Sequence, residues 1–419
     1  MSFSAFGKKF TSESGILNLM EDLGNALANP DAKDIIMMGG GNPAHIPEIE
    51  DIVRQRLVDI SNDTHELQQL IGVYDTPQGE KAFRQALAEL LSKEFGWPLS
   101  ENNIALTNGS QSAFFMLFNL LAGEYDNGEH KHVLFPMAPE YIGYADAGLS
   151  KGYFKACKPE IELIGERQFK YRVDFDALSV TDNTAAICVS RPTNPTGNVV
   201  TDEEVERLDA LAKAHNIPLI IDGAYGTPFP DIIFSDATPF WNDNVILCLS
   251  LSKFGLPAAR TGIVIAKPEI IDAISNVNAI LSLATNSIGA RLALPLISSG
   301  DILKLSREVV KPFYQERCNL AIQQLEQGLS GLPVRVHKPE GAMFLWLWCK
   351  DLPISSQTLY ERLKEKGLIV VPGHYFFPGM EDEDWAHKDE CLRINYSQSP
   401  EHVKEGLRLI CDELNSIYN

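Results

Sequence analysis

Two ionisable side chains follow directly after short apolar segments of this sequence. Lys253 ends the segment Ser-Leu-Ser-Lys (250–253), and Asp222 follows the apolar run 218–221. A lysine at the mouth of an apolar site can lose its proton and act as a nucleophilic amine. A carboxylate at the end of a buried strand needs a cation or a hydrogen-bond donor, because desolvation of its charge is costly. The alternative for Lys253 alone is a solvated surface lysine, and the alternative for Asp222 alone is a structural salt bridge.

Two further groups of residues could bind an oxyanion such as phosphate. Gly109, Ser110 and Gln111 lie between a predicted strand and a predicted helix, where free N–H groups and a hydroxyl suit an anion. A helix-capping role for Ser110 is the alternative. The second group provides two hydroxyls and a guanidinium within a short stretch of chain and consists of Ser250, Ser252 and Arg260.

Amide, phenol and guanidinium groups complete the set of candidate residues. Asn194 begins Asn-Pro-Thr-Gly (194–197), which also reads as a β-turn, and Tyr225 follows Asp222 by three positions. Arg393 lies between apolar neighbours in a predicted strand, where it requires a carboxylate from the protein or from a substrate. Tyr141 follows another predicted strand.

The elements that must position these residues alternate between strand and helix. Strands are predicted at 104–107, 133–135, 185–190, 219–221, 245–249 and 263–266, and helices at 112–121, 139–149 and from Thr201 onward. Near-continuous apolar strands separated by helices indicate an α/β fold with a mostly parallel sheet covered on both faces. Ligands bind at the carboxyl ends of such strands. The last third predicts a smaller α+β domain with a C-terminal helix from Glu401.

Composition excludes several classes of function. Among 419 residues, 36 basic and 56 acidic side chains give a net charge of -20, which disfavours binding to nucleic acid or to an anionic membrane. No apolar run approaches the roughly 18 residues of a membrane span, and we expect no signal peptide. The seven cysteines lack CxxC spacing, which predicts buried thiols in the cytoplasm and no disulfide framework or metal site.

In order and type, these residues resemble those of the class I/II aminotransferases, which are fold-type I enzymes that use pyridoxal phosphate. The resemblance runs from about Gly39 to the C-terminus, and its most specific segments are 194–197 and 250–253. It implies a large domain with a seven-stranded type of sheet and a smaller second domain. We predict an N-terminal arm and small-domain segment over 1–45, a large cofactor-binding domain over 46–300 and a small domain over 301–419.

The resemblance also implies a role for each candidate residue. Lys253 would hold pyridoxal phosphate covalently and move a proton, and Asp222 would pair with the ring nitrogen. Asn194 and Tyr225 would bind the ring oxygen, and Tyr141 would stack on the ring. Gly41 and Asn194 would help Arg393 to bind the substrate carboxylate. The phosphate would be bound by Gly109, Ser110, Gln111, Ser250, Ser252 and Arg260.

Tyr74, in Tyr-Asp-Thr-Pro-Gln-Gly (74–79), matches the motif that reaches the phosphate of a partner subunit. The resemblance therefore implies a homodimer with two shared sites, and packing of Tyr74 within its own subunit is the alternative. Arg291 could read an acidic substrate, but we expect it to be a solvated helix-surface residue.

A closer resemblance is to a bacterial branch of the family that transfers the amino group of valine to pyruvate by a ping-pong mechanism. It is carried by residues 14–23, 39–43, 134–148, 190–199, 338–348 and 371–379. Phe6, Ile16 and Met20 are candidates to line the side-chain pocket, with core packing as the alternative. The same cofactor residues also fit a β-lyase, a cyclopropane-forming synthase, or an aminotransferase for other aliphatic amino acids. A regulatory protein on this scaffold would not need Lys253, Asp222 and Arg393 together.

Overall fold

The predicted apolar strands form the centre of a computed structural model that describes residues 2–11 and 35–419. Its strands are β1 (Ile36–Met37), β2 (Ile104–Thr107), β3 (Gly123–Glu124), β4 (His130–Phe135), β5 (Phe154–Ala156), β6 (Glu160–Ile164), β7 (Gln168–Arg172), β8 (Thr184–Ser190), β9 (Leu219–Asp222), β10 (Val245–Ser250), β11 (Gly262–Ile265), β12 (Val334–His337), β13 (Phe344–Cys349), β14 (Leu368–Ile369), β15 (Val371–Pro372) and β16 (Cys391–Asn395). The α-helices of the described residues span Ala5–Lys9, Pro47–Asn62, Thr64–Ile71, Lys81–Phe95, Ser110–Leu121, Asp202–Ala214, Pro268–Ser282, Ile288–Ser299, Asp301–Leu305, Lys311–Gly328, Ser356–Glu365 and Pro400–Tyr418.

The larger sheet has the strand order β2-β11-β10-β9-β8-β4-β5, with the short β3 added antiparallel to β4. Within those seven strands only β11 runs against the others, because it pairs antiparallel with both β10 and β2. Every residue of β2, β8, β10 and β11 is buried, as expected for strands covered on both faces. The predicted mostly parallel, seven-stranded α/β sheet is confirmed.

The parallel register places the functional residues side by side. Ser190 at the end of β8 pairs with Asp222 at the end of β9, and β10 runs parallel beside β9 and ends at Ser250. Because parallel strands present their carboxyl ends at one edge, the loops that follow them meet there. One of these loops contains Asn194 and another contains Lys253.

The helix predicted over 139–149 is wrong. This segment contains only a short 3-10 turn at Ile142–Tyr144. Two of its backbone carbonyls accept hydrogen bonds from side chains instead of forming the i to i+4 bonds of a helix. The Gln111 amide donates to the Gly143 carbonyl at 2.8 Å, and the Asn119 amide donates to the Ala147 carbonyl at 2.8 Å. By contrast, the helix predicted after Thr201 is confirmed as Asp202–Ala214, with a capping box between Thr201 and Glu204.

A second sheet has the order β15-β16-β13-β12-β7-β6. Its central strand β13 pairs antiparallel with β12 and with β16, and the helix Pro400–Tyr418 closes the chain. β6 and β7 lie far earlier in the sequence, inside the range 46–300, yet β7 pairs parallel with β12. The division into 1–45, 46–300 and 301–419 stays a prediction, and this sheet supports a second unit that also includes residues 160–172.

Two other features follow from the sequence. All seven cysteines have free thiols, and all but the half-buried Cys157 are buried. Across residues 2–11 and 35–419, no helix has both the length and the apolar character that a membrane crossing requires.

Candidate active site

A cavity of about 590 Å³ opens where β8, β9 and β10 end, a size suited to a small molecule. All of the predicted site residues line it except Gly109 and Tyr74. The lining residues that were predicted are Gly41, Ser110, Gln111, Tyr141, Asn194, Asp222, Tyr225, Ser250, Ser252, Lys253, Arg260 and Arg393.

Lys253 projects into this cavity from the turn after β10. Its Nζ donates a hydrogen bond to the Gly41 carbonyl at 2.6 Å and lies 5.3 Å from the centre of the Tyr225 ring. Burial lowers the pKa of the Lys253 amine to about 8, and the positive charges of Arg393 and Arg260 contribute to the same effect. Near neutral pH a much larger fraction of this amine is therefore unprotonated than for an exposed lysine.

Asp222 lies at the base of the cavity with two hydrogen-bond donors. The Tyr144 hydroxyl donates to Oδ2 at 2.5 Å, and the Ala224 N–H donates to Oδ1 at 2.9 Å. Burial raises the pKa of the Asp222 carboxyl, while both donors and the charge of Lys253 act in the opposite direction. A cationic nitrogen in the cavity would stabilise the ionised form further.

Tyr144 was not predicted as a site residue. Its ring is fully buried, stacks on Phe135 with centroids 5.7 Å apart, and contacts Phe114 at 4.9 Å. This packing fixes the hydroxyl against Asp222. The available signal was the second tyrosine of Tyr-Ile-Gly-Tyr (141–144), three residues after the predicted Tyr141.

Several groups that could bind an anion line the cavity. Arg260 reaches it from a left-handed backbone conformation with φ of 45°, and Ser252 N–H donates to Ser250 Oγ at 3.1 Å. Ser110 occupies the first turn of the helix Ser110–Leu121, whose N-terminal N–H groups favour an anion. The preceding residue, Gly109, forms the N-cap without a side-chain cap, so the alternative role of Ser110 as the cap is wrong.

Arg393 also lines the cavity. Its Nη1 donates to Asn194 Oδ1 at 2.8 Å and its Nη2 to the Gly39 carbonyl at 2.5 Å. The guanidinium lies over the rings of Phe344 and Phe376, at 4.4 and 5.0 Å from their centres. Burial lowers the pKa of Arg393 to about 10, and its buried Nε has no hydrogen-bond partner among the described residues. A buried cation with a spare donor suits a carboxylate ligand.

Two aromatic rings complete the walls. Tyr141 is half-buried and meets the edge of Tyr144 at 5.3 Å. It directly precedes the short turn Ile142–Tyr144 and lines the cavity. Tyr225 is buried and packs edge-on against Phe344 at 5.8 Å.

Tyr74 does not reach the cavity of its own chain. Its side chain is 81% exposed, and the neighbouring Asp75 forms an ion pair with Arg291 at 3.2 Å. The expectation that Arg291 is a solvated surface residue is wrong, because its side chain is only 14% exposed and it anchors the Tyr74 segment.

Comparison with known proteins identifies the family to which this site belongs. A model of the family described as aminotransferase class I and II matches residues 33–410. The chain is a class I and II aminotransferase.

Its relatives cover nearly the whole chain. Valine–pyruvate aminotransferase of Escherichia coli K12 is 53% identical over 99% of this chain and 98% of its own length. The crystal structure of valine–pyruvate aminotransferase from Salmonella typhimurium LT2 is 50% identical and superposes with a TM-score of 0.88, covering 96% of this chain and 99% of its own. An aminotransferase structure from Psychrobacter arcticum 273-4 gives a TM-score of 0.96 at 46% identity, over 100% of this chain and 99% of its own.

Class I and II aminotransferases depend on pyridoxal phosphate, and the cavity of this aminotransferase fits that cofactor. Its aldehyde requires an amine, its ring nitrogen an anion and its phosphate a cationic pocket. Lys253, Asp222 and Arg260 provide these three groups around one space. Gly109 also fits the cofactor, because a Cβ at this position would lie 2.1 Å from Arg260 Nη2 and would occupy space next to the guanidinium.

We expect Gly109→Ala to weaken cofactor binding by more than about tenfold, since the added methyl must displace the Arg260 guanidinium. Backbone strain would add to the effect, because Gly109 has φ of 90°. The measurement is the dissociation constant of pyridoxal phosphate by equilibrium dialysis. Gly128→Ala is the matched control, with φ of 83° and no atom within 4 Å of the added methyl. Equal losses in both variants would contradict the role of Arg260.

Proposed function

We propose that this aminotransferase moves the amino group of valine to pyruvate, giving 2-oxoisovalerate and alanine by a ping-pong mechanism. The observation that carries the proposal is that Lys253, a reactive amine, and Arg393, a carboxylate-binding cation, face one cavity. Identity of 53% to the Escherichia coli valine–pyruvate enzyme over nearly the full length supports the choice of substrates.

In this proposal each residue has a defined task. Pyridoxal phosphate, when bound, supplies an electron-accepting ring that acidifies the Cα proton of the amino acid. Arg393 binds the α-carboxylate and so fixes the position of that proton. Lys253 would hold the cofactor until the amino group of the substrate displaces it, and its freed amine would then accept the Cα proton and return it as general base and acid. Asp222 keeps the ring nitrogen protonated, and Tyr144 holds Asp222 in place.

The remaining site residues bind and orient the cofactor. Asn194 and Tyr225 would donate hydrogen bonds to the ring oxygen, and Tyr141 would pack on the ring face. The phosphate would be bound by side chains or N–H groups of Gly109, Ser110, Gln111, Ser250, Ser252 and Arg260. For Gln111 this contact would be made by its backbone N–H, which lies in the first turn of the helix Ser110–Leu121.

The walls of the cavity favour an aliphatic side chain. Met37, Phe114 and Ile142 line it, and Arg260 and Arg393 are the arginines that its described lining contains. With these two assigned to the phosphate and the α-carboxylate, an acidic side chain would lack a counter-charge. Discrimination between aliphatic substrates that differ by one methylene is worth only ~1–3 kcal/mol, so 2-aminobutyrate or leucine should also react. Of the predicted pocket residues, Ile16 and Met20 lie outside the described residues, and Phe6 is exposed.

The test follows the visible absorption of the purified protein loaded with pyridoxal phosphate. Valine alone should abolish the band, and pyruvate should restore it with formation of alanine. If valine leaves the band unchanged while other amino acids abolish it, the substrate assignment fails. Release of ammonia instead of pyruvate-dependent recovery would favour a lyase. If no absorption develops under saturating cofactor, the protein is not a pyridoxal phosphate enzyme.

The lowered pKa of Lys253 predicts how the empty protein captures its cofactor. Only the unprotonated amine attacks an aldehyde, so the capture rate should rise with pH and level off above about 8, not above the ordinary value of 10.5. Stopped-flow absorbance after mixing with pyridoxal phosphate measures this rate. A rate that still rises steeply between pH 9 and 10.5 would contradict the pKa shift.

We also propose that the enzyme is a homodimer in which Tyr74 reaches the phosphate of the partner site. Two groups of exposed apolar side chains support this proposal, one next to Tyr74 in the sequence and the other near the end of the helix Pro268–Ser282. Such exposed apolar residues are expected on a surface that a second copy covers. They are Ile71, Val73, Ile280, Leu281 and Leu283.

A subunit-mixing experiment tests the shared site. Lys253→Ala and Tyr74→Ala proteins are each expected to be impaired, but a mixed dimer contains one site with both residues intact. Random reassortment of equal amounts should therefore restore about one quarter of the wild-type activity. No gain on mixing, together with a monomeric mass by light scattering, would refute the arrangement.

We place the enzyme in the cytoplasm, as a participant in amino-acid biosynthesis. Seven free cysteines, most of them buried, support a reducing compartment. Cell fractionation of the native host with an antibody to the protein tests the location.

A further inference from the structure

Glu140 is a fully buried carboxyl group directly behind the cavity. It is 0% exposed and precedes Tyr141. Its Oε1 accepts the Ser190 N–H at 2.9 Å, and its Oε2 lies 2.6 Å from the Ser190 hydroxyl and 3.3 Å from the Tyr141 N–H. Ser190 is the last residue of β8 and lines the cavity.

The surroundings of Glu140 contain an anion and no compensating cation. Among the described residues, the charges found to act on Glu140 include no lysine, arginine or histidine. The charged group that acts on Glu140 is the Asp222 carboxylate. Asp222 pairs with Ser190 between strands β9 and β8. The other titratable groups coupled to Glu140 are the Tyr144 phenol and the Cys188 thiol, both neutral at pH 7. A second negative charge so close to Asp222, in a dry environment, would be strongly unfavourable.

We propose that Glu140 is a positioning residue that carries a proton at neutral pH, which leaves Asp222 as the single anion beneath the cofactor. The Ser190 hydroxyl donates to Oε2 of an ionised Glu140 at 2.6 Å; protonation reverses this hydrogen bond, so that the carboxyl O–H donates to Ser190 Oγ. Oε1 accepts the Ser190 N–H in either state. Burial raises the pKa of Glu140 to about 8; the charge of Asp222 acts in the same direction, and the hydrogen bonds from Ser190 and Tyr141 act in the opposite direction. The inference rests on the proposed function only in the role that this function gives to Asp222, as the partner of the ring nitrogen.

Glu140 also connects three parts of the site. Its side chain holds the start of the loop that leads to Asn194, and its neighbour Tyr141 lines the cavity. Its backbone N–H donates to the Phe376 carbonyl at 2.8 Å, and the Phe376 ring lies against the Arg393 guanidinium. A neutral carboxyl can make these contacts without adding charge to the site, whereas alanine would leave the Ser190 N–H without an acceptor.

Infrared difference spectroscopy of Glu140→Gln against wild type detects the proton directly, in the full chain loaded with pyridoxal phosphate and without it. At pH 7 the variant should lose one C=O stretch of a protonated carboxylic acid that shifts in heavy water. Because glutamine is neutral and similar in shape, its cofactor dissociation constant should stay within about threefold of wild type. Glu140→Ala should weaken cofactor binding roughly ten- to hundredfold.

Glu413→Gln is the matched control. Glu413 is also buried, but hydrogen bonds from Lys366 and Arg362 lower its pKa, so this variant should lose carboxylate bands. If Glu140→Gln loses carboxylate bands as well, or if Glu140→Ala binds the cofactor like wild type, the proposal is wrong.

Ser190→Ala replaces the test if Glu140→Gln does not fold. This variant should shift the band of the protonated carboxyl without altering Glu140. Failure of wild type to bind pyridoxal phosphate would refute the proposed function and leave the infrared result interpretable.

Discussion

Replacing Lys253 by alanine should reduce amino-group transfer by more than about 10,000-fold, because one side chain both holds the cofactor and moves the Cα proton. The variant should still bind pyridoxal phosphate, since Asp222, Arg260 and the serines remain in place. Two measurements separate these effects. Borohydride reduction followed by mass spectrometry should find the cofactor attached to wild type and absent from Lys253→Ala, while dialysis should find it bound to both.

Lys267→Ala controls for the loss of a lysine as such. Lys267 is half-exposed and pairs with Glu269 outside the cavity. Full activity in this control and none in Lys253→Ala would support the assignment. Retention of more than about one hundredth of the activity by Lys253→Ala would mean that another group moves the proton.

Replacing Arg393 by alanine should lower kcat/KM for valine and for pyruvate alike, because both substrates carry the carboxylate that Arg393 binds. Truncation of one partner of a buried, hydrogen-bonded charge pair costs about 2–5 kcal/mol, which corresponds to a loss of roughly 30- to 4,000-fold. Steady-state kinetics with each substrate varied in turn measures the loss. A large effect on only one substrate would contradict a shared carboxylate site.

The same substitution has a second, independent consequence. The charge of Arg393 helps to lower the pKa of Lys253, so its removal should raise that pKa. The pH at which cofactor capture levels off should therefore move upward from about 8. Arg335→Ala is the control, since this arginine lies on β12, donates to the Gly165 carbonyl and does not line the cavity. It should change neither the kinetics nor the capture profile.

Much of the site was predictable because its residues follow apolar strands. Asp222, Lys253 and the loop at Asn194 each come after a run of buried aliphatic residues, and a parallel sheet brings such positions to one edge. Chemical type then limits what each side chain can do. Arg393 was found in the same way, as a charge between apolar neighbours in a strand.

Tyr144 and Glu140 could not be found by this reasoning. The sequence pattern around them predicts a helix, but hydrogen bonds from Gln111 and Asn119 hold this stretch as an irregular turn. These contacts join residues about 30 positions apart, so local sequence pattern contains no signal for them. The strand pairing of β6 and β7 with β12 escaped prediction for the same reason, since it depends on a partner far along the chain.

The long separation between β7 and β12 bears on how the protein is made on the ribosome. About 160 residues must be synthesised between the end of β7 and the start of β12, roughly 8–32 s at 5–20 residues per second. During that interval the hairpin of β6 and β7 has an unpaired edge, which can pair with the wrong strand or with another nascent chain. A chaperone that shields this edge until residues 334–337 emerge would therefore raise the yield of active enzyme, and truncated chains that end before β12 should aggregate.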